Sequence, residues 1–106
     1  MLRRKEFARI QHLDDPIYAM IPGEPELEEG VFYIVDGPRY VEYKCPCGCG
    51  NVVMLPYYTG EEKQGDWGWK LEEHGGRATL QPSVFSRLWP CGSHYFIRDN
   101  RIVWCG

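Results

Sequence analysis

The sequence predicts a small all-β fold, or a β-rich α+β fold, with roughly six to eight short antiparallel strands. The 106 residues include 14% aromatic residues, 12 Gly and 8 Pro. Aromatic and β-branched residues favour strands, whereas frequent Gly and Pro favour turns and interrupt long helices. Short strands at close spacing are typical of sandwich-like or partly barrel-like domains. We predict a single β domain over residues 1–106, with an N-terminal arm and loop over residues 1–30.

The first regular strand signals lie at Val31–Val35 and Tyr40–Lys44. The turn signal Asp36-Gly37-Pro38 separates these two runs, which predicts a β-hairpin. The next strand is predicted over residues 51–55, and Pro56 is expected to end it because proline cannot donate to a sheet.

Four further strands are predicted, at residues 67–71, at residues 77–80 and in a terminal hairpin of His94–Arg98 and Arg101–Trp104. In the first of these, alternation places Trp67, Trp69 and Leu71 on one face. Residues 72–76 are expected to form a turn, and Pro82 is expected to end the strand that follows it.

The cysteine pattern predicts a metal site. The run Cys45-Pro46-Cys47-Gly48-Cys49-Gly50 is followed later by Cys91, and proline and glycine permit turns that bring thiolates to one centre. Cysteines on an extended strand lie too far apart for one ion, so either the loop curls at Gly48 or one cysteine is not a ligand. The single predicted domain is expected to contain one Zn²⁺, with Cys45, Cys47, Cys49 and Cys91 as its ligands. His94 is the substitute for one of them.

A disulfide framework is the alternative for these residues. The chain contains five cysteines, an odd number, and its N-terminus lacks the apolar segment of a signal peptide. Cysteines two residues apart, such as Cys45 and Cys47, are also poorly placed to bridge each other. A reduced metal site in a cytoplasmic protein is therefore favoured, and Cys105 is expected to be a spare thiol.

Charge and hydropathy exclude some function classes. The net charge is −3, which disfavours a nucleic-acid backbone as partner. No run approaches the roughly 18 apolar residues of a membrane-spanning helix. No P-loop, dinucleotide-binding fingerprint, H-E-x-x-H or G-x-S-x-G motif is present. We therefore expect neither a nucleic acid nor a membrane as partner.

Ser83 and His94 are the residues that could carry catalytic chemistry. His94 begins a predicted strand close to the last expected metal ligand, so it can bind the metal or act as a neutral base. Ser83 follows a proline, where a serine can be held exposed as a nucleophile or can simply belong to a turn. His12 and His74 are expected at the surface. Candidate acceptors for the second ring nitrogen of His94 are Asp66, Glu72 and Glu73.

Several motifs, taken in chain order, resemble a small bacterial family long catalogued as a domain of unknown function. They are C-P-C-G-C-G, W-K-L at residues 69–71, T-L-x-P-S-[VI] at 79–84, P-C-x-S-H-Y-[FW]-I-R at 90–98, and R-[IV]-x-W. The resemblance covers about residues 26–104. Members of this family occur in operons with ubiquitin-like proteins and relatives of their activating and conjugating enzymes. The family is thought to include peptidases that process or remove the ubiquitin-like protein.

The resemblance implies site residues. The family's cysteine cluster falls on Cys45, Cys47, Cys49 and Cys91. Its serine falls on Ser83 and its histidine on His94, which implies a catalytic pair beside a structural zinc. After Ser83 this chain reads V-F-S-R-L-W, where other members run I-G-N-W. The implied substrate is the C-terminal tail of a ubiquitin-like protein. Such a tail could add as a strand to a sheet edge or lie in a groove that Trp67, Trp89 or Tyr95 could line.

Three arrangements of these residues stay open. Four thiolates can hold a structural zinc and leave His94 free to activate Ser83. Alternatively, His94 can join three cysteines on the metal, with Ser83 merely lining a pocket. A catalytic zinc with bound water ranks last, because thiolate ligands make zinc a poor Lewis acid. A non-catalytic module that binds the ubiquitin-like protein or its conjugating enzymes is the competing function.

Overall fold

Apolar and alternating runs build eight β-strands in the computed structural model, which describes residues 3–14, 27–60, 68–85 and 91–105. The strands are β1 (Arg9–Leu13), β2 (Val31–Val35), β3 (Tyr40–Lys44), β4 (Val52–Tyr58), β5 (Trp69–His74), β6 (Arg77–Phe85), β7 (His94–Arg98) and β8 (Arg101–Trp104). No helix occurs in these ranges, so they hold no helix that could cross a membrane. The prediction of an all-β fold is confirmed.

The strands are hydrogen-bonded in sequence order from β1 to β8. Both predicted hairpins, β2–β3 and β7–β8, form. The expectation of antiparallel strands is wrong for β1–β2 and β4–β5, which pair in parallel. Parallel neighbours need a connection that returns to the same end of the sheet. The two longest connections, residues 14–30 and 59–68, join these two pairs.

Strands β4, β5 and β6 are longer than the sequence predicts. β4 continues through Pro56 to Tyr58, exchanging its partner from β3 to β5 beyond that proline. β6 continues through Pro82 to Phe85 because a bulge accommodates the proline. β5 extends to His74, so the expected turn over residues 72–76 is confined to Gly75 and Gly76.

The core lies between the first half of the sheet, β1–β4, and the second half, β5–β8. Side chains from both halves form one buried cluster that includes Phe32, Ile34, Val41, Tyr43, Leu71, Leu80, Tyr95 and Ile97. The hydroxyl oxygens of Tyr43 and Tyr95 are 2.7 Å apart in this core. The sheet is therefore folded over itself, as the sandwich-like prediction requires.

The N-terminal arm, residues 3–8, is attached to the sheet by backbone hydrogen bonds. The backbone N–H of Ile102 in β8 donates to the carbonyl oxygen of Lys5 at 2.9 Å. The N–H of Arg4 donates to the carbonyl oxygen of Pro46 in the cysteine loop at 2.7 Å. Phe7 is buried in the core and anchors the arm. The arm thus connects β8 to the cysteine loop.

Candidate functional site

The first cysteine loop joins β3 to β4. Cys45 directly follows β3, and its backbone N–H donates to the carbonyl oxygen of Asn51 at 2.8 Å, which closes the loop. Inside it, the N–H of Gly48 donates to the carbonyl oxygen of Cys45 at 3.1 Å. Gly48 has φ 89°, a conformation that glycine adopts readily. The predicted curl at Gly48 is present.

The sulfurs of the four predicted cysteines converge. The Sγ atoms of Cys45, Cys47, Cys49 and Cys91 all lie within 4.8 Å of one another. Cys45 Sγ is 3.4 Å from Cys47 Sγ and 4.0 Å from Cys91 Sγ. A tetrahedral zinc with Zn–S bonds of about 2.3 Å separates its sulfurs by roughly 3.8 Å. The cluster can therefore hold a metal ion, and four sulfur donors suit zinc or an iron–sulfur centre.

Backbone amides favour the thiolate forms that a metal binds. The N–H of Cys47 donates to the sulfur of Cys45, and the N–H of Asn51 donates to the sulfur of Cys49. Burial nevertheless raises the pKa of both thiols above the ordinary cysteine value. A bound cation would offset this desolvation, because metal ligation requires the deprotonated thiol.

Ser93 connects the cysteine cluster to β7. Its buried hydroxyl donates to Cys91 Sγ at 3.5 Å and lies 3.7 Å from Cys45 Sγ. The hydroxyl is the main reason that the pKa of Cys91 is lowered to about 7. The next residue, His94, begins β7. One turn therefore carries both a donor to the cluster and the candidate base.

A bulge in β6 sets the position of Ser83. Leu80 is opposite Ile97 and Val84 is opposite Tyr95, so β6 advances four residues while β7 advances two. The peptide bond between Gln81 and Pro82 inside this bulge is cis. Val84 is buried in the core, whereas Ser83 is partly exposed. The bulge thus places the Ser83 side chain at the surface, beside the start of β7.

Ser83 and His94 meet at this surface. Ser83 Oγ is 2.9 Å from His94 Nε2, a hydrogen-bonding distance. The ring of Phe85 stacks on the imidazole, with centroids 4.9 Å apart and an interplanar angle of 28°. Trp69 Nε1–H donates to the carbonyl oxygen of Ser83 at 3.2 Å. A hydroxyl beside an imidazole is the arrangement that nucleophilic acyl transfer uses. The cysteine cluster does not include His94.

The proposed third groups of the site are not directed at His94. Glu73 Oε1 is 2.9 Å from His12 Nε2, and Glu72 Oε2 is 3.8 Å from His74 Nε2. Asp66 lies outside the described residues. Within the described part of the chain, no side chain forms a hydrogen bond with His94 Nδ1. Among the described residues, Phe85 packs on the imidazole ring and Ser83 contacts its Nε2.

The aromatic residues that were expected to line a substrate groove have different outcomes. Tyr95 is fully buried in the core, so its prediction as a groove residue is wrong. Alternation along β7 explains this, because His94 and Tyr95 must point to opposite faces. Trp67 and Trp89 lie outside the described residues. Sequence reasoning missed Phe85. The available signal was its spacing of two residues from Ser83, which places both side chains on one face of a strand.

The comparisons with known proteins include a match to one protein family. The sequence model of one family, described as the bacterial ubiquitination-like system serine protease (BubE), matches residues 20–105. No curated protein and no solved structure matches the chain at a significant level. The family match spans the cysteine loop, β6 and β7, and it confirms the resemblance that the motifs indicated. The chain belongs to the BubE family of serine proteases of bacterial ubiquitination-like systems.

Proposed function

We propose that this protein is a peptidase that processes or removes a bacterial ubiquitin-like protein, with Ser83 as nucleophile and His94 as general base. The observation that carries the proposal is the 2.9 Å contact between Ser83 Oγ and His94 Nε2 at a partly exposed surface. Membership in a serine protease family supports a serine nucleophile. Ser83 also lies at hydrogen-bonding distance from a base, as a serine nucleophile requires.

The reaction follows the general course of serine acyl transfer. The hydroxyl oxygen of Ser83 attacks the scissile carbonyl carbon, and His94 Nε2 accepts the hydroxyl proton. His94 then donates this proton to the leaving amine as the C–N bond breaks, which leaves an acyl ester on Ser83. Water attacks the ester while His94 accepts its proton and returns it to Ser83. The products are a free carboxylate and a free amine.

Cys45, Cys47, Cys49 and Cys91 are the residues that would hold zinc. With four thiolate ligands, the ion would contribute folding free energy and fix the loop geometry, since such closed sites are structural. In this arrangement His94 stays available to Ser83. The bond from Ser93 to Cys91 would then fix the turn that precedes His94.

The proposed substrate is the C-terminal tail of the ubiquitin-like protein, because the family is named for a ubiquitination-like system. Such a tail is extended and can lie along a sheet face or edge. Its activating or conjugating enzymes are further proposed partners. A cytoplasmic location, where thiols stay reduced, would suit the cysteine cluster.

The experiment is cleavage of a ubiquitin-like precursor from the same operon by Ser83→Ala and His94→Ala proteins. We expect both variants to stay folded and zinc-replete while cleavage falls by at least about 10³-fold. Thr79→Ala, which removes another hydroxyl from β6, is the control and should retain cleavage.

Full cleavage by Ser83→Ala would contradict the serine mechanism. Loss of zinc from His94→Ala would instead indicate a ligand role. Binding of the precursor by a wild-type protein that never cleaves it would favour the non-catalytic module.

A further inference from the structure

One face of β7 points away from the core. Tyr95 and Ile97 are fully buried, so alternation places His94, Phe96 and Arg98 on the opposite, outer face. This outer face therefore begins at the proposed catalytic base and runs along the whole strand.

The edge strand β8 extends this face sideways. Val103 is the cross-strand partner of Phe96, and Arg101 is the partner of Arg98. Cross-strand partners present their side chains on the same face of a sheet. Moving away from His94, the outer face thus changes from an apolar pair to a pair of guanidinium groups.

The apolar part of this face is exposed. Phe85 is 53% exposed and Val103 is 42% exposed. Among the described residues, these two are the large apolar side chains that are exposed. Phe85 is level with His94 in the register, on the other side of β7 from Val103. Both exposed apolar side chains therefore lie on one surface beside the Ser83–His94 pair. Apolar surface rimmed by polar residues commonly marks a binding site.

The far end of the face carries excess positive charge. A cavity of about 360 Å³ is lined by Arg77, Arg98, Asp99, Arg101 and Val103, which places three guanidinium groups against one carboxylate. Glu6 is a second acidic neighbour, because its backbone forms a bridge with Arg101. This local excess contrasts with the net charge of −3 for the chain. A carboxylate is the complementary ligand, since guanidinium groups bind carboxylates with paired hydrogen bonds.

We propose that this outer stripe, defined as Phe85, Phe96, Val103, Arg98 and Arg101, binds an extended segment of the protein substrate. The segment carries an apolar side chain near the cleaved bond and a carboxylate further along. The Arg98 guanidinium lies over the Phe96 ring, 4.7 Å from its centroid, so its partner Arg101 is the arginine that marks the far end. This pair is level with a position four residues from His94, or about 13 Å at 3.3 Å per residue, so the carboxylate belongs about four residues from the bond. This inference rests on the proposed function, because the position of the substrate carboxylate is counted from the Ser83–His94 pair.

A protein segment fits this stripe better than a nucleic acid does. The chain has a net charge of −3, which disfavours a nucleic-acid backbone as partner. Three guanidinium groups within one small cavity suit one or two carboxylates rather than a long phosphate backbone. A single-stranded oligonucleotide that competes with peptide at equal concentration would therefore overturn the assignment.

Charge reversal on both partners tests the proposal. The probes are precursor substrates with Asp or Lys at the fourth residue on either side of the cleaved bond. The stripe can hold the substrate on only one side of the bond. For the pair of substrates changed on that side, we expect the wild type to cleave the Asp form with a kcat/KM about tenfold above that of the Lys form, mainly through a lower KM. Arg101→Glu should reverse this preference. Arg9→Glu, an equally exposed arginine on β1, is the matched control and should keep the wild-type preference.

A binding measurement separates failure of the stripe from failure of the proposed function. Peptides with the same Asp or Lys residues are titrated into Ser83→Ala protein and followed by fluorescence anisotropy. Efficient cleavage with no preference between Asp and Lys would overturn the stripe and leave the peptidase intact. Tighter binding of the Asp peptide, reversed by Arg101→Glu, supports the stripe even if no substrate is cleaved.

Discussion

The Ser93 hydroxyl donates a hydrogen bond to the sulfur of Cys91 across 3.5 Å, one residue before His94. The cysteine cluster and the proposed catalytic base are therefore fixed by the same short turn. Any change that loosens the cluster should move the imidazole relative to Ser83, and small displacements of catalytic groups reduce rates strongly.

Metal removal should therefore reduce both stability and cleavage. We expect about one zinc per chain by elemental analysis, and a lower melting temperature with loss of cleavage after chelation. Cys91→Ser should reproduce both losses, whereas Cys105→Ser, at an exposed free thiol, should change neither. Metal-free protein that melts and cleaves like the untreated protein would contradict a structural metal.

The bond from Trp69 to the Ser83 carbonyl should matter for catalysis. Trp69→Phe removes the Nε1–H donor, so we expect about 1 kcal/mol loss of stability and a several-fold lower kcat. Trp104→Phe is the matched control, because it removes a similar bond to the Arg4 carbonyl, away from Ser83. Urea unfolding and steady-state cleavage are the measurements. Equal effects of both variants on kcat would refute a positioning role for Trp69.

Local sequence patterns predicted most strands of this fold, as the hairpin of β2 and β3 illustrates, because apolar runs and turn residues act locally. The path of the chain through Pro56 and Pro82 could not be predicted, since a change of strand partner and a bulge are long-range features. The parallel pairing of β1 with β2 was missed for the same reason.

The sequence predicted more of the candidate site than of the strand pairing. The convergence of four cysteines follows from local turns that proline and glycine permit. The contact of Ser83 with His94 depends on the bulge in β6, which no short pattern reveals, and only the family resemblance paired these two residues beforehand. The stacking of Phe85 on His94 arises from strand register and was missed.

Glu42 should make stability fall as pH rises. It is fully buried on β3, and neither carboxylate oxygen has a hydrogen-bond partner among the described residues. Burial raises its pKa, so the folded state binds the proton more tightly than the unfolded state. Stability is then lost as pH rises from the unfolded value of about 4.3 through the folded pKa.

Replacing the Glu42 carboxyl group should remove this loss of stability at higher pH. We expect Glu42→Gln to be more stable than the wild type at pH 8 and the difference to narrow toward pH 4. Glu29→Gln, at an exposed position, is the control and should follow the wild type. Urea unfolding across this pH range is the measurement. Parallel stability curves for Glu42→Gln and the wild type would contradict the prediction.

His12 is a base rather than an acid, but it should also make stability fall as pH rises. Its Nε2 is 2.9 Å from Glu73 on β5, and its Nδ1 is 2.9 Å from Asp36 after β2, so it links the two halves of the sheet. The hydrogen bond with Glu73, followed by that with Asp36, raises its pKa. This stabilisation is complete below the unfolded value of about 6.5 and is lost as pH rises through the folded pKa.

Accordingly, His12→Gln should be less stable than the wild type at pH 6 and equally stable at pH 9. The exposed His74 provides the control, and His74→Gln should show a smaller difference at pH 6. Thermal melts at both pH values would measure it. A deficit for His12→Gln that is as large at pH 9 as at pH 6 would show that the imidazolium is not the stabilising form.

The most direct test of the central claim is covalent labelling of the nucleophile. Zinc-replete protein is treated with a fluorophosphonate, which reacts with activated serines, and the modified residue is located by peptide mass spectrometry. We expect one adduct, on Ser83, formed much more slowly in His94→Gln. Absence of an adduct on Ser83, in protein that still cleaves the ubiquitin-like precursor, would contradict Ser83 as the nucleophile.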